Sequence, residues 1–375
     1  MAIEYITAGD SHGKLLVGVI KNIPAGLTVD ADFVDNELKR RMSGYGRSAR
    51  MTIEADRAEF VTGIISHKSI GSPIAVLIRN KDNRSDDNTE LSGVRPTAVR
   101  PGHADLSGAF KYGFSDVAPV AERASARSTA VTVALGAVAK LYLKRLGIEI
   151  SSHTIAVGGI KVRAQSCADI NACADADPMR CLDGAASKQM AAEVERARQN
   201  GDTLGGATEI TARGCISGIG SYVSADKRID GIIMREIGAI PSVKAVEIGD
   251  GFAGSATVGS AFHDEIRIRK DGSVYRDTNR AGGIEGGMTN GQDVVVRAYF
   301  KPVPTLAHGL RAVDIASGEN SIAASPRSDV CVVPAGGVVC EAALALALAS
   351  AISEMLGGDT MDETVARYNA KRSAV

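Results

Sequence analysis

Two histidines sit in loops that leave room for a ligand. His12 follows Ser11 in GDSHG, with Gly9 and Gly13 bracketing the tip, so a hydroxyl and an imidazole are presented on an approachable backbone. An ordinary surface turn would carry the same letters. His103 and Asp105 follow the turn-setting Pro101 and Gly102 in RPGHAD. Just downstream, ERASARSTA places Arg123 and Arg127 on one stripe at the start of a long helical pattern. Free backbone N–H groups, the positive dipole end and two guanidinium forks together make an anion seat. As plain surface residues the arginines would have no such role. A further basic group, Arg41 and Arg47 in RRMSGYGRSARM, runs from a helix end into glycine-rich turns. It fits a ligand-covering loop, or simply favourable charge at a helix C-terminus. Imidazoles, which titrate near 6.5 unperturbed, beside clustered guanidiniums point to proton transfer on a phosphorylated or carboxylated small molecule.

These residues need rigid elements to hold them. A short opening strand and a second apolar run, LLVGVI, flank the His12 loop, and Thr28 or Asp30 caps a helix ending at Lys39, Arg40 and Arg41. The pattern through Arg123 continues as VTVALGAVAKLYLKRLG and stops at Gly147. A second small-residue helix, from Val338 to about residue 356, is suited to pack closely on it. Between them lie strand-like IEISSHTIAVGGIKV, a surface helix over AASKQMAAEVERARQNG that reads as chemically quiet, and an amphipathic helix over KRIDGIIMREIGAI. The run Gly282 to Gly291 exposes backbone N–H groups suited to a planar or phosphorylated cofactor, or is only a set of turns. The last residues read as a frayed tail.

Composition narrows the function classes. The 375 residues suffice for a full core, read as a single domain over 1–375. A net charge of −1 and 4% aromatic residues give neither a general pull toward nucleic acid nor a base-stacking platform. The apolar run at Val338 contains Glu341, so it reads as a buried helix and no membrane partner is expected. No signal-peptide pattern opens the chain, which makes the cytoplasm the expected location. Six cysteines form no C-x-x-C pair, although Cys167, Cys173 and Cys181 lie near enough in sequence to leave metal binding open. There is no G-x-G-x-x-G after a first strand, no Walker lysine loop, no H-E-x-x-H and no nucleophile elbow.

GDSHG, RRMSGYGRSARM, RPGHAD, KYG, ERASARSTA, VEIGDGF, NRAGGIEGG and RSDVCVVP, in this order and across nearly the whole chain, resemble the chorismate synthase family. The resemblance implies an α+β fold, a β-α-β sandwich whose central layer of long helices is enclosed by antiparallel sheets, assembled as a homotetramer. It implies a lyase of the shikimate pathway, at its seventh step, toward the aromatic amino acids. The substrate would be 5-enolpyruvylshikimate 3-phosphate, converted to chorismate and phosphate by anti-1,4-elimination with reduced FMN as cofactor.

Carried over residue by residue, His12 with Ser11 beside it resembles the histidine that assists phosphate departure. His103 resembles the histidine that keeps the reduced flavin correctly protonated, and Asp329 and Ser125 resemble members of the relay for the substrate proton. Arg41 and Arg47 match arginines lining the phosphate or NADP entrance. Arg123, Ala124, Ser125, Pro241, Ser242, Gly286, Lys301, Pro302, Val303, Pro304, Thr305 and Arg327 match flavin-contacting positions. Some members also reduce flavin with NADPH; without a dinucleotide fingerprint, this chain is expected to depend on an external flavin reductase or reductant.

Three departures from the family pattern stand out. GDSHG replaces GESHG, so Asp10 is one methylene shorter and is expected to shift Ser11 and His12 slightly. PSVKAVEIG replaces NAVKGVEIG, at Pro241, Ser242 and Ala245, and ARSTA replaces ARETA, at Ser128. Two other readings fit parts of the sequence. One is a relative with the same seats and a changed substrate, against which His12, His103 and Asp329 all argue. The other is an RNA binder using the arginine loop at 40–50, which would need an extended basic surface and strongly salt-dependent affinity.

Overall fold

The chain is described here by a computed structural model covering residues 1–47, 55–83, 96–162, 167–323 and 329–372. The first sheet consists of β1 (Glu4–Gly9), β2 (Leu15–Lys21), β3 (Glu59–Thr62) and β4 (Ile74–Arg79), antiparallel in the order β1-β2-β4-β3. Leu16, Ile20, Ile74, Val76 and Ile78 alternate along β2 and β4 and are all buried, as a strand with one covered face requires. Between β2 and β3 runs α1 (Ala31–Met42), capped by Asp30, whose carboxylate accepts from the backbone N–H groups of Asp32 and Phe33. Then come α2 (Asp105–Tyr112), α3 (Ala118–Ala124) and α4 (Thr129–Arg145).

The second sheet contains β5 (Glu149–Val157), β6 (Ile160–Lys161), β7 (Gly206–Arg213), β8 (Val243–Ile248) and β9 (Val294–Phe300), antiparallel in the order β8-β9-β7-β5-β6. Its helices are α5 (Gly184–Gln199), α6 (Ile229–Gly238), α7 (Val333–Leu356) and α8 (Met361–Arg372). α4 packs on β2 and β4, α7 packs on β5 and β7, and the two helices pack on each other. The layers are therefore sheet, two long helices, sheet, as the resemblance implied. Gly136 makes the helix crossing possible: a Cβ there would lie 2.4 Å from the Cβ of Ala342, so no larger residue fits. α7 has the length and apolarity of a membrane span, but 94% of its most apolar stretch is buried inside the protein.

The same layer holds a buried ionic network. Glu341 of α7 is fully buried and accepts from Lys140 (2.5 Å), from both terminal nitrogens of Arg40 (2.9 Å each), from Ser152 (2.6 Å) and from Arg180 (3.2 Å). Burial alone would raise its pKa, but Lys140, Arg40 and Arg180 outweigh that and hold it well below the usual carboxylate range. Glu37 adds a second carboxylate, bonded to Arg40 (2.7 Å) and Lys140 (2.5 Å).

Two expectations need correcting. The helix expected to run through Arg123 to Gly147 is broken at Ser125, which is extended (φ −64°, ψ 141°). Its hydroxyl accepts from the N–H of Arg127, capping a 3₁₀ turn at Ala126–Ser128 before α4 starts at Thr129. A serine that satisfies a free N–H competes with helix continuation. The tail is not frayed: Met361, Thr364 and Tyr368 bury one face of α8, and the Tyr368 hydroxyl accepts from Ile216 N–H and donates to the Gly214 carbonyl, 3.2 Å each. Cys167 and Cys173 form a disulfide, Cys181 is buried, and no group of three or more metal-ligating side chains exists among the described residues.

Candidate active site

A cavity of about 1010 Å³ opens between the ends of the two sheets, where the loops after β1 and β9 meet α1, α3 and the start of α7. Ser11, His12, Arg41, Arg47, His103, Ala124, Ser125, Pro241, Ser242, Lys301, Val303, Pro304, Thr305 and Asp329 all contribute to its wall. Residues more than 300 positions apart in sequence thus face one space.

The His12 loop is held from three sides. The Ser11 hydroxyl donates to the Ser125 hydroxyl at 3.0 Å, and the Ser11 N–H donates to the Glu122 carbonyl at 3.2 Å. The Glu122 carboxylate takes the backbone N–H of His12 on one oxygen (2.7 Å) and ring Nδ1 on the other (2.6 Å). Asn80 donates to the carbonyls of Asp10 (3.0 Å) and Gly13 (2.7 Å), and its own oxygen accepts from Arg127 Nε (2.8 Å). Since Asn80 grips backbone atoms, the shorter Asp10 side chain leaves these anchors in place. Arg127, buried and also bonded to Asp56 (2.7 Å), braces the loop while lining the cavity.

His103 has a matching arrangement. Its Nδ1 lies 2.6 Å from Oδ1 of Asp105, and Arg100 grips the same carboxylate through Nε (2.7 Å), Nη2 (2.9 Å) and its backbone N–H (3.0 Å). Asp105 is completely buried; His103 and Arg100 overcome the cost of burial and hold its pKa well below the usual range. Its position in the first turn of α2 adds the favourable helix dipole.

The basic part of the wall centres on Arg41 and Arg47. Arg41 is buried; Nε donates to Thr129 (2.9 Å) and Nη2 to the Ala126 carbonyl (3.0 Å), while Nη1 is ion-paired with Asp56 at 3.5 Å. Burial, with Arg47 and Arg127 nearby and only partly offset by Asp56, pushes its pKa down to about 9. The guanidiniums of Arg41, Arg47 and Arg127 outnumber the carboxylates they face, Asp56 and Asp329, a surplus of positive charge that suits an anion. Arg47 pairs with Asp329 at 3.0 Å. Lys301 bonds the Gly102 carbonyl, tying the strand-end residues to the His103 loop; burial and neighbouring Lys244 lower its pKa.

Three of the expected positions are not part of that wall. Arg123 is exposed at the last turn of α3 and bonds the carbonyl and hydroxyl of Thr7 (3.1 Å each), because the break at Ser125 turns it away from Arg127. Gly286 sits in the hairpin between Ile284–Glu285 and Met288–Asn290, and the glycine run around it serves that hairpin and does not line the cavity. Pro302 is likewise not part of the wall, and Arg327 lies outside the described residues. Sequence reading missed Glu122, Asn80 and Arg100, and it took α5 for a quiet surface helix. Arg198 of α5 and the following Gly201–Thr203 in fact line the cavity. Glu122 and Asn80 meet partners 47 to 110 residues away, which no local pattern signals, whereas Arg100 bonds Asp105 from within the same short motif, RPGHAD.

Similarity to known proteins agrees with this geometry. The family model described as chorismate synthase matches residues 3–353. Chorismate synthase of Symbiobacterium thermophilum is 44% identical over 382 residues, covering 98% of this chain and 97% of the relative. That of Frankia casuarinae is 45% identical over 383 residues, with the same two coverages. A crystal structure of chorismate synthase superimposes with a TM-score of 0.82 at 33% identity, covering 100% of this chain and 98% of that one. With the motifs in order, the sheet–helix–sheet architecture and full-length similarity all in agreement, the chain belongs to the chorismate synthase family.

Proposed function

We propose that this chain converts 5-enolpyruvylshikimate 3-phosphate to chorismate and phosphate by anti-1,4-elimination, with reduced FMN as cofactor. The observation that carries the reading is one cavity joining His12, His103, Asp329 and the Arg41–Arg47 pair. Its volume of about 1010 Å³ is at the top of the roughly 300–1,000 Å³ range of ligand sites, room for a planar cofactor beside a small acid. The cavity chemistry fits both: the neighbouring guanidiniums of Arg41, Arg47 and Arg127 suit a phosphate, and the Pro241, Val303 and Pro304 wall suits a flat ring system.

Pro241, Ser242, Ala124, Lys301 and Thr305 are the residues assigned to hold FMN. When bound, reduced FMN supplies electron density to the substrate transiently and recovers it, so the elimination has no net redox change. Arg41 and Arg47 bind the substrate phosphate and absorb its growing charge as the C–O bond breaks. His12 donates a proton to the departing oxygen. His103, gripped through Asp105, manages a proton on the opposite wall, and Asp329 and Ser125 move the C6 proton away.

The same reading has the chain act as a single domain, in the cytoplasm, as a homotetramer supplied by an external flavin reductase. Support for one domain is that the sheets pack on two central helices that pack closely on each other.

The test is an anaerobic assay with 5-enolpyruvylshikimate 3-phosphate and photoreduced FMN, following chorismate absorbance and phosphate release together. It is repeated with oxidised FMN and NADPH. Equal yields with reduced FMN alone support the proposal, including the external reductant. Activity in both arms replaces the external reductase with an intrinsic one. No product in either arm, from folded protein that binds FMN, refutes the reaction.

A further inference from the structure

The carboxylate of Glu122 makes two contacts with a single residue. Oε2 accepts the backbone N–H of His12 at 2.7 Å and Oε1 lies 2.6 Å from its Nδ1, so peptide and ring are gripped together. The same glutamate contributes its carbonyl to the N–H of Ser11. Glu122 sits one turn before Ser125, whose hydroxyl bonds Ser11, so the end of α3 clasps the Ser11–His12 pair from backbone to ring. All four residues line the cavity.

An imidazole has two nitrogens, and what one is bonded to decides what the other can do. An ionised carboxylate is an acceptor only, so Nδ1 carries a hydrogen toward Glu122. Nε2 then becomes the nitrogen left for chemistry; it lies 3.7 Å from Asp82, another cavity residue. A proton on Nε2 can leave while Nδ1–H stays, giving the neutral tautomer that Glu122 already holds. His103 repeats the arrangement, with Asp105 at its Nδ1.

Resting on the function proposed above, we infer that Glu122 is a positioning residue for His12, selecting the tautomer in which Nε2 serves the departing phosphate. In the step it supports, the substrate C–O bond breaks with its electron pair on the phosphate oxygen. The Nε2 proton passes to that oxygen, and the ring is left neutral with Nδ1–H on Glu122.

Glu122→Gln keeps the size of the side chain but replaces one acceptor oxygen by an NH₂. If the remaining oxygen keeps the backbone N–H, the NH₂ faces Nδ1, which must then be unprotonated, and the neutral ring is forced into the opposite tautomer. A comparable carboxylate-to-amide exchange next to a catalytic histidine costs about 10⁴-fold in kcat. For Glu122→Gln we expect kcat to fall by roughly 10²- to 10⁴-fold. KM, oxidised-FMN affinity and Tm should remain close to the parent values, and Glu122→Asp should recover part of the rate. The independent readout is nitrogen NMR of histidine-labelled protein sedimented for solid-state measurement, with the His12 signal identified by its loss in His12→Gln.

A parent Nδ1–H tautomer that switches in Glu122→Gln, together with a kcat-only loss, establishes the role. A kcat within threefold of the parent overturns it, as does a loss shared equally by kcat, FMN affinity and Tm. If Glu122→Gln does not fold, the parent spectrum decides: an Nδ1 without hydrogen overturns the inference and Nδ1–H upholds it. The spectrum does not depend on turnover, so a parent inactive on the proposed substrate would refute the reaction while the tautomer result still stands on its own.

Discussion

Glu341→Gln tests the buried network of the central layer. Glu341 accepts five hydrogen bonds, four of them from cationic nitrogens of Arg40, Lys140 and Arg180. With Glu37 and the partly exposed Asp175, which bonds Arg40 at 2.7 Å, three carboxylates balance three cations. Removing the central carboxylate leaves one uncompensated positive charge in the interior. Breaking a buried pair in this way costs about 3–5 kcal/mol, a large part of the ~5–15 kcal/mol that typically holds a protein folded. At roughly 2 °C per kcal/mol for a large domain, Tm should drop by about 6–10 °C, measured at fixed protein concentration. Lys140→Met in the Glu341→Gln background removes the surplus charge, so the double variant should melt well above the sum of the single losses. The sign of the pH dependence follows from the depressed pKa. The stabilisation is present above the ordinary value of 4.5 and is lost only as pH falls through the lower folded value. The gap between parent and variant should thus be flat above about pH 6 and narrow below about pH 4.5. A Tm drop under 2 °C, or strictly additive single effects, would refute the idea that these charges depend on one another.

Gly136→Ala would gain about 1 kcal/mol of helix propensity, yet it places a methyl 2.4 Å from the Cβ of Ala342 and 2.6 Å from its Cα; a net loss of about 1–3 kcal/mol in denaturant unfolding is expected, and Ala342→Gly should relieve it only in part because the backbone clash stays. Arg41→Lys keeps a charge but loses the fork that spans Thr129 and the Ala126 carbonyl, so KM for the phosphorylated substrate should rise about 10- to 100-fold in steady-state assays. His103→Ala, supplied with reduced FMN, should retain substrate binding and lose most turnover; near-parent turnover would remove His103 from the proposed mechanism.

Part of this molecule could be read from residue order alone. The strands around GDSHG, the Asp30 cap, the stop of α4 at Gly147 and the close-packing helices all follow from periodicity, capping and small residues, which are local properties. The ordered motifs likewise identified His12, His103, Asp329, Arg41 and Arg47 as one set, and all five line one cavity. Tertiary structure decided what holds that set in place. Glu122 to His12, Asn80 to the loop backbone and Arg198 at the wall are contacts across folded space, without periodicity or spacing to announce them. It also separated Arg123 from Arg127, because Ser125, capping the N–H of Arg127, breaks the helix that would have aligned the two arginines. Sequence carries what a residue does to its own segment; a side chain's partners are fixed only when distant segments pack and each buried polar group must find one.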